Sequence, residues 1–209
     1  MPEINQELVQ NFVEKAKAAA ITVVEKATVH DALSYVVDVC KTKDPAQLLA
    51  DEDVPKGPLG AFGCPTRVTK ILAAPDLAEA DFKELADLCQ KEGIECIDKG
   101  LRKHLAGIDV GLSYALAGVA ASGTCLAVNN CEDVRLSGMI SETHVMMLKK
   151  SEIYPDLPAI TGIVRKCMDA DKGTFTTFIT GPSRTADIER VGAIGVHGPL
   201  ELHLILLEA

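Results

Sequence analysis

The run Thr174–Thr180 empties into Gly181-Pro182-Ser183-Arg184-Thr185-Ala186-Asp187-Ile188-Glu189, with Val196-His197-Gly198-Pro199 close behind. A β-type run that stops at Gly-Pro releases backbone N–H groups beside hydroxyls and a guanidinium, chemistry that suits an anionic small molecule. Gly181, Ser183, Arg184, Thr185, Asp187 and Gly198 are the ligand-binding candidates of this segment. Arg184 is the one able to hold a carboxylate or phosphate through two parallel hydrogen bonds. His197 suits a general base, a proton donor or a ligand, and equally a turn lock bonded to a backbone carbonyl. Glu189 is the accompanying candidate catalytic carboxylate. The same residues also describe a tight turn with a helix N-cap at Ser183 or Thr185, in which Arg184 is a solvated charge facing Asp187 or Glu189. The spacing is not that of a phosphate loop.

A second group lies upstream. Ser122-Gly123-Thr124 forms a turn before a strand, and its hydroxyls and Gly123 offer another wall of polar donors. Arg135 and His144, the latter opening a strand, are placed to face the same crevice. The stretch before them, Gly111 to Ala121, is rich in small residues and reads as helical from Ser113 to Ala121. Small side chains let backbones approach closely, either a neighbouring element or a ligand. In open α/β sheets, ligands lie beyond the carboxyl ends of strands. The Gly-Pro-Ser loop meets that rule, whereas the Ser-Gly-Thr turn precedes its strand. His203 in the closing strand reads as structural, and His30 and His104 as surface residues.

The elements that must position these groups alternate along the chain. Residues 3–27 carry apolar positions at helical spacing, as do residues 31–41. Between Asp51 and Arg67, Pro55, Gly57, Pro58, Gly60, Gly63 and Pro65 exclude a helix or a central strand. This segment reads as a linker, or as a lid carrying Phe62 and Cys64. Strands are expected at 68–73, 94–97, 124–129, 134–140, 144–149, 174–180 and 201–207, and helices at 78–91 and 159–168, with Gly93 as a helix stop. Alternation of this kind predicts an α/β sheet with parallel pairs. The expected organisation is a helical segment over 1–50, a Pro/Gly-rich loop over 51–66 and an α/β domain over 67–209.

Bulk properties narrow the class of function. The 209 residues are 47% hydrophobic and 24% charged, enough for one sizeable core. The formal net charge of −9 argues against a nucleic-acid surface, which needs clustered Lys and Arg. No Trp is present and aromatics make up only 4%, so base stacking is not its mode of recognition. The seven cysteines, at 40, 64, 89, 96, 125, 131 and 167, include no Cys-x-x-Cys pair, so neither an iron–sulfur cluster nor a metal is expected in this chain. They read as reduced, mostly buried thiols. Without a secretory signal or a run long enough to span a bilayer, the chain reads as cytoplasmic.

The segment from Gly181 to Pro199 resembles the C-terminal motif of the lactate-utilisation (LUD) domain family, which reads Gly-Pro-Ser-x-Thr-x-Asp-Ile-Glu followed by Gly-Val-His-Gly-Pro and a closing strand. The earlier segment is similar to a second block of that family. Gly111, Ser113, Val119, Ala120, Ser122, Gly123 and Thr124 match it, and Arg135 and His144 with the apolar run Val145–Leu148 follow in order. By this resemblance the chain is identified as similar to lactate utilisation protein C. The resemblance implies the NagB/RpiA/CoA transferase-like α/β class, that is, the sheet of ribose-phosphate isomerases, sugar-phosphate deaminases and coenzyme A transferases, with helices flanking it and an N-terminal helical extension. It also implies a non-redox subunit of a cytoplasmic L-lactate oxidation system that converts lactate to pyruvate, as a component of an iron–sulfur L-lactate dehydrogenase complex. The iron–sulfur clusters would then sit in partner subunits, and this chain would bind an anionic small molecule. The alternative is a stand-alone isomerase- or transferase-type enzyme acting on a sugar phosphate or acyl thioester. Where the family commonly carries Glu before Thr-Gly-Thr, this chain has Ala121, which removes a carboxylate nucleophile from that position. Glu142 and Glu189 are the remaining carboxylates near the expected site.

Overall fold

The computed structural model describes residues 4–168, 175–185, 193–195 and 198–208. Helix α1 (Gln6–Ala18) starts where the Asn5 side chain accepts a hydrogen bond from Leu8 N at 3.1 Å, and it buries Val9, Phe12 and Ala16. The expectation of one helix over 3–27 is corrected. Ala19 and Ala20 close the helix, Ala20 sits in the left-handed region at φ +63°, and Ile21–Lys26 is strand β1. Ile21, Thr22, Val23 and Val24 are four β-branched residues in a row, which lose side-chain freedom in a helix and pack well on a pleated surface. Helix α2 (Val29–Thr42) follows, capped by Thr28, whose hydroxyl oxygen accepts from Asp31 N.

Residues 51–67 fold back as a small hairpin, β2 (Lys56–Leu59) and β3 (Pro65–Arg67). The linker expectation is corrected, because this hairpin is tied to the body of the protein. Leu48 N donates to Pro65 O at 2.8 Å, Arg67 N to Ala46 O at 2.9 Å, and the buried Arg67 guanidinium to Gly107 O and Glu52 at 2.7 Å each. His104, expected at the surface, is largely covered and meets the second Glu52 oxygen at 3.1 Å.

Strand β4 (Ile71–Ala73), helix α3 (Glu79–Lys91), strand β5 (Glu95–Ile97) and strand β6 (Ile108–Tyr114) come next. Gly93 ends α3 at φ +68°. Strand β7 (Ala117–Val119) and strand β8 (Thr124–Val128) lead to helix α4 (Glu132–Ser137) and strand β9 (Ser141–Lys149). Two expectations fail here. Residues 113–121 are not helical but complete β6 and form β7, and residues 134–140 are not a strand but hold most of α4. The small residues of β7 answer a packing demand: a Cβ on Gly118 would lie 2.7 Å from Leu148 and 3.0 Å from Phe12. The chain closes with β10 (Ile153–Tyr154), α5 (Thr161–Met168), β11 (Thr176–Ile179), β12 (Arg184–Thr185), β13 (Ala193–Ile194) and β14 (Glu201–Leu207).

Six strands form the central sheet in the order β1-β14-β9-β6-β4-β5, every pair parallel. Segment 1–50, expected to be helical, therefore supplies an edge strand as well as two helices. One face of the sheet carries Val110, Leu112, Val145, Met147, Ile205 and Leu207 against Leu33 and Val36 of α2 and Leu85 of α3. The other face carries Met146, Leu148, Leu204 and Leu206 against Phe12 of α1 and Cys125 and Ala127 of a second sheet, β10-β7-β8-β11. The buried carboxylate of Asp109 accepts from Ala46 N at 2.7 Å and Ile71 N at 2.8 Å, fixing the segment before the hairpin to β4 and β6.

Candidate anion-binding cleft

The cleft is built around two neighbouring strands of the central sheet. Gly111 on β6 stands opposite His144 on β9, and two residues further along β6 lies Ser113. Ser113 Oγ and His144 Nε2 are 2.8 Å apart, and both side chains are buried, with His144 only 3% exposed. Burial penalises the imidazolium and pushes the His144 pKa down to about 4, so the ring is neutral at pH 7. One ring nitrogen is engaged by Ser113, while Nδ1 has no hydrogen-bond partner among the described residues. The imidazole also lines the cavity beside it.

Helix α4 comes close enough to roof this pair only because the strand below it lacks a side chain. A Cβ on Gly111 would collide with the carbonyl oxygen of Ser137, and one on Gly138 would lie 3.1 Å from His144 Cε1. Between α4 and β11 lie two adjoining cavities of about 250 and 260 Å³, which share His144, Met139 and Thr177 among their lining residues. At one end is Arg135, whose Nη1 donates to Asn129 O at 2.9 Å and whose guanidinium lies 5.4 Å from the Phe175 ring centroid. Arg135 forms no ion pair within 4.0 Å among the described residues, so its charge remains available to an anion. At the other end are Thr180, Gly181 and Ser183.

The Gly-Pro-Ser loop is anchored rather than free. Ser183 N donates to Pro199 O at 3.0 Å, and Gly195 N donates to Ser183 O at 2.9 Å. An N-cap at Ser183 does not fit, because Arg184 and Thr185 pair as a strand with Ile194 and Ala193, and the residues that a cap at Thr185 would start lie outside the described residues. Arg184 is exposed and is not among the residues lining the cleft, which leaves Arg135 as the lining guanidinium among the described residues. Gly198 lines the cleft beside Ser183. His197, Asp187 and Glu189 lie outside the described residues.

The Ser-Gly-Thr turn reaches the Gly-Pro-Ser loop through strand pairing. Strand β11 runs antiparallel to β8 with Ile179 opposite Cys125, which places Thr124 Oγ1 2.8 Å from Thr180 Oγ1. Ser122 Oγ is 2.7 Å from Thr124 Oγ1, so three hydroxyls form a chain that ends in the cleft at Thr180. Gly123 and Gly181 both take positive φ, +68° and +89°, and both press on the end of α1. A Cβ on Gly123 would strike the Ala16 backbone, and one on Gly181 the Ala19 carbonyl oxygen. Of this group, Ser122, Gly123 and Thr124 support the cleft from behind and do not line it.

Two other expectations change. Glu142 is engaged in the framework, accepting from Gln47 N at 2.8 Å and from Lys43 Nζ at 2.9 Å. The carboxyl-end rule holds for the Gly-Pro-Ser loop after β11 but not for the central sheet's His144 and Leu202, which stand near the starts of β9 and β14. Sequence reasoning gave no role to Ser113, Asn129 or Thr177. The signal for Ser113 was the alternation of β6, in which Val110 and Leu112 face one side and Gly111 and Ser113 the other.

The LUD domain family model matches residues 9–207 of this chain. The chain belongs to the LUD domain family. Among its relatives, lactate utilization protein C of Anoxybacillus flavithermus is 32% identical over 99 residues, which is 47% of this chain and 44% of that protein. Lactate utilization protein C of Bacillus subtilis is 30% identical over 114 residues, 53% of this chain and 48% of the relative. The chain thus spans about half the length of the curated relatives it matches. A crystal structure of a DUF162 family protein from Deinococcus radiodurans superposes with a TM-score of 0.57, covering 96% of both chains at 13% identity, which shows a shared mixed α/β fold.

In this LUD domain, Ala121 is exposed and donates its N–H to Pro155 O at 3.0 Å, apart from the residues lining the cleft. Cys40, Cys89 and Cys125 are buried, whereas Cys131 is exposed. Burial pushes the Cys40 and Cys125 thiols up to about 12. Among the described residues no three His, Cys, Asp or Glu side chains gather as a metal site, and no helix is long and apolar enough to cross a membrane.

Proposed function

We propose that this LUD domain serves lactate utilisation as a non-redox, cytoplasmic subunit that holds a small anionic molecule in the cleft between α4 and β11. The observation that carries the reading is the buried, neutral His144, with one ring nitrogen unpartnered among the described residues beside a cavity that also presents the Arg135 guanidinium. A guanidinium grips a carboxylate or phosphate, and a neutral imidazole adds a directed hydrogen bond without a second charge. The names of the curated relatives support the metabolic setting. Iron–sulfur partner subunits belong to the proposal, because the cysteine spacing of this chain suits no cluster. His197 and Glu189, which lie outside the described residues, join the proposal as the candidate catalytic residues.

Calorimetric titration with lactate, pyruvate and inorganic phosphate tests the binding half. At least one should bind, and Arg135→Ala should weaken it by roughly ten- to a hundredfold, the scale of a lost charge-assisted hydrogen bond. Unchanged affinity in that variant refutes the site. Tagged protein drawn gently from its native cell tests the subunit half: iron and lactate-dependent dye reduction should co-purify with it, whereas the isolated chain should reduce no dye. The Ser113–His144 contact is what favours a second reading, since a hydroxyl beside a neutral imidazole is the arrangement of a base-activated nucleophile. Turnover of a sugar phosphate or acyl thioester that disappears in Ser113→Ala would select that stand-alone enzyme instead.

A further inference from the structure

Beside the polar cleft lies a larger groove of about 710 Å³, bordered by Leu49, Phe62, Leu105, Met139 and Leu200. Met139 and Gly198 line both the groove and the cleft, so the two cavities meet at these residues. The polar side chains of the groove already have partners within the protein. Gln47 Oε1 accepts from Phe62 N, Glu142 accepts from Gln47 N and Lys43 Nζ, and Ser141 Oγ donates to Ser137 O. Leu49, Phe62, Leu105 and Met139 are each more than half exposed. The groove therefore offers mainly apolar surface, and each of these polar side chains already has a partner. The cleft offers the opposite: among the described residues, an unpartnered imidazole nitrogen and a guanidinium without an ion pair. Met139 stands at the junction, and an unbranched thioether side chain adapts to what passes it.

We infer that the occupant is a single small molecule with two ends: an anionic head held in the cleft and an apolar tail of several carbons lying in the groove past Met139. This rests on the cleft as an anion site and extends it to substrate class. Head and tail would be selected separately, by charge in one cavity and by area removed from water in the other.

The test is a chain-length series, lactate, 2-hydroxyhexanoate and 2-hydroxyoctanoate, each with its amide counterpart, titrated calorimetrically against the full chain. Full burial of a methylene is worth roughly fourfold in affinity, and a groove open on one side should return about twofold per carbon. The expected gain from lactate to 2-hydroxyoctanoate is thus about thirtyfold. Phe62→Ser and Leu105→Asn, both at exposed positions outside the cleft, should each reduce that gain and leave the lactate affinity unchanged. A series that binds with flat affinity overturns the tail and leaves the anion site standing. Amides that match their acids overturn the anionic head and the proposed function with it. A gain that survives in both variants places the tail elsewhere and overturns the inference.

Discussion

The two faces of the six-stranded sheet are made by the same strands and differ in nearly everything else. Toward α2 and α3, β6 and β9 present Val110, Leu112, Val145 and Met147, all buried in one apolar cluster. Turn each strand by one residue and the side chains are Gly111, Ser113, His144 and Met146. That face is apolar where α1 covers it, but under α4 it holds a buried hydroxyl–imidazole pair and opens into the cleft. Because strand side chains alternate strictly, one stretch of chain can carry stability on one set of alternate positions and chemistry on the other. The difference shows where function can be changed without unfolding the protein, and where it cannot.

Adjacent residues on opposite faces give the sharpest way to break the comparison. Leu112→Ala should destabilise by about 3 kcal/mol in urea denaturation, the usual scale for a large-to-small change in a closed core, and should leave ligand affinity per folded molecule unchanged. Ser113→Ala should destabilise by only about 1.5 kcal/mol, the scale of leaving one buried imidazole nitrogen unpaired, and should weaken the ligand. Equal stability losses would mean that both faces are purely structural.

Acid exposes the same contrast. Below pH 6.5 the unfolded chain protonates its imidazole, whereas buried His144 resists until about pH 4. The unfolded state then binds more protons, so stability falls as pH drops from 6.5 to 4 and is fully present above that window. The loss attributable to His144 should reach about 3 kcal/mol and should vanish from the pH profile of His144→Gln. Burial also lowers the His203 pKa, against a smaller opposing effect of Glu201, so the difference between the two profiles is the measurement that counts. Superimposable profiles would mean that His144 takes up its proton as readily in the folded chain as in the unfolded one.

The smallest expected effect is a gain. Ala20 holds a left-handed conformation that costs a side-chain-bearing residue about 1 kcal/mol and glycine nothing, so Ala20→Gly should raise stability by roughly 0.5 kcal/mol after its unfolded-state entropy is subtracted. A loss instead would mean that the turn from α1 into β1 is held by the Ala20 methyl.

Where local preference and tertiary context agreed, the sequence was readable: α2, α3, β9 and β14 stand close to where their apolar spacing puts them. Where they disagreed it was not. Helical spacing ran through Ile21–Lys26, yet the strand won because an edge of the sheet was open beside β14. The small residues around Gly118 looked helical, but the lack of a side chain at Gly118 is dictated by Phe12 and Leu148, distant in sequence. At the site, the Gly-Pro-Ser loop, Arg135 and His144 were visible as residue types, and the structure brings them to one cleft. Ser113 was hidden by the misread strand. Arg184 stood out as the best-equipped anion receptor in its motif, and no local pattern could show that its strand carries it away from the cleft.

The end of α1 has a consequence for ancestry. Gly123 and Gly181 belong to the two segments by which the family is recognised, yet both answer to a helix made by the first twenty residues, whatever the cleft holds. Their loss would be punished in a protein that bound nothing at all. Arg135, Met139 and Phe62 stand under no such constraint from α1. A lineage can therefore keep its recognisable glycines while exchanging its ligand, and chains alike in those glycines share a seat for a helix before they share a substrate.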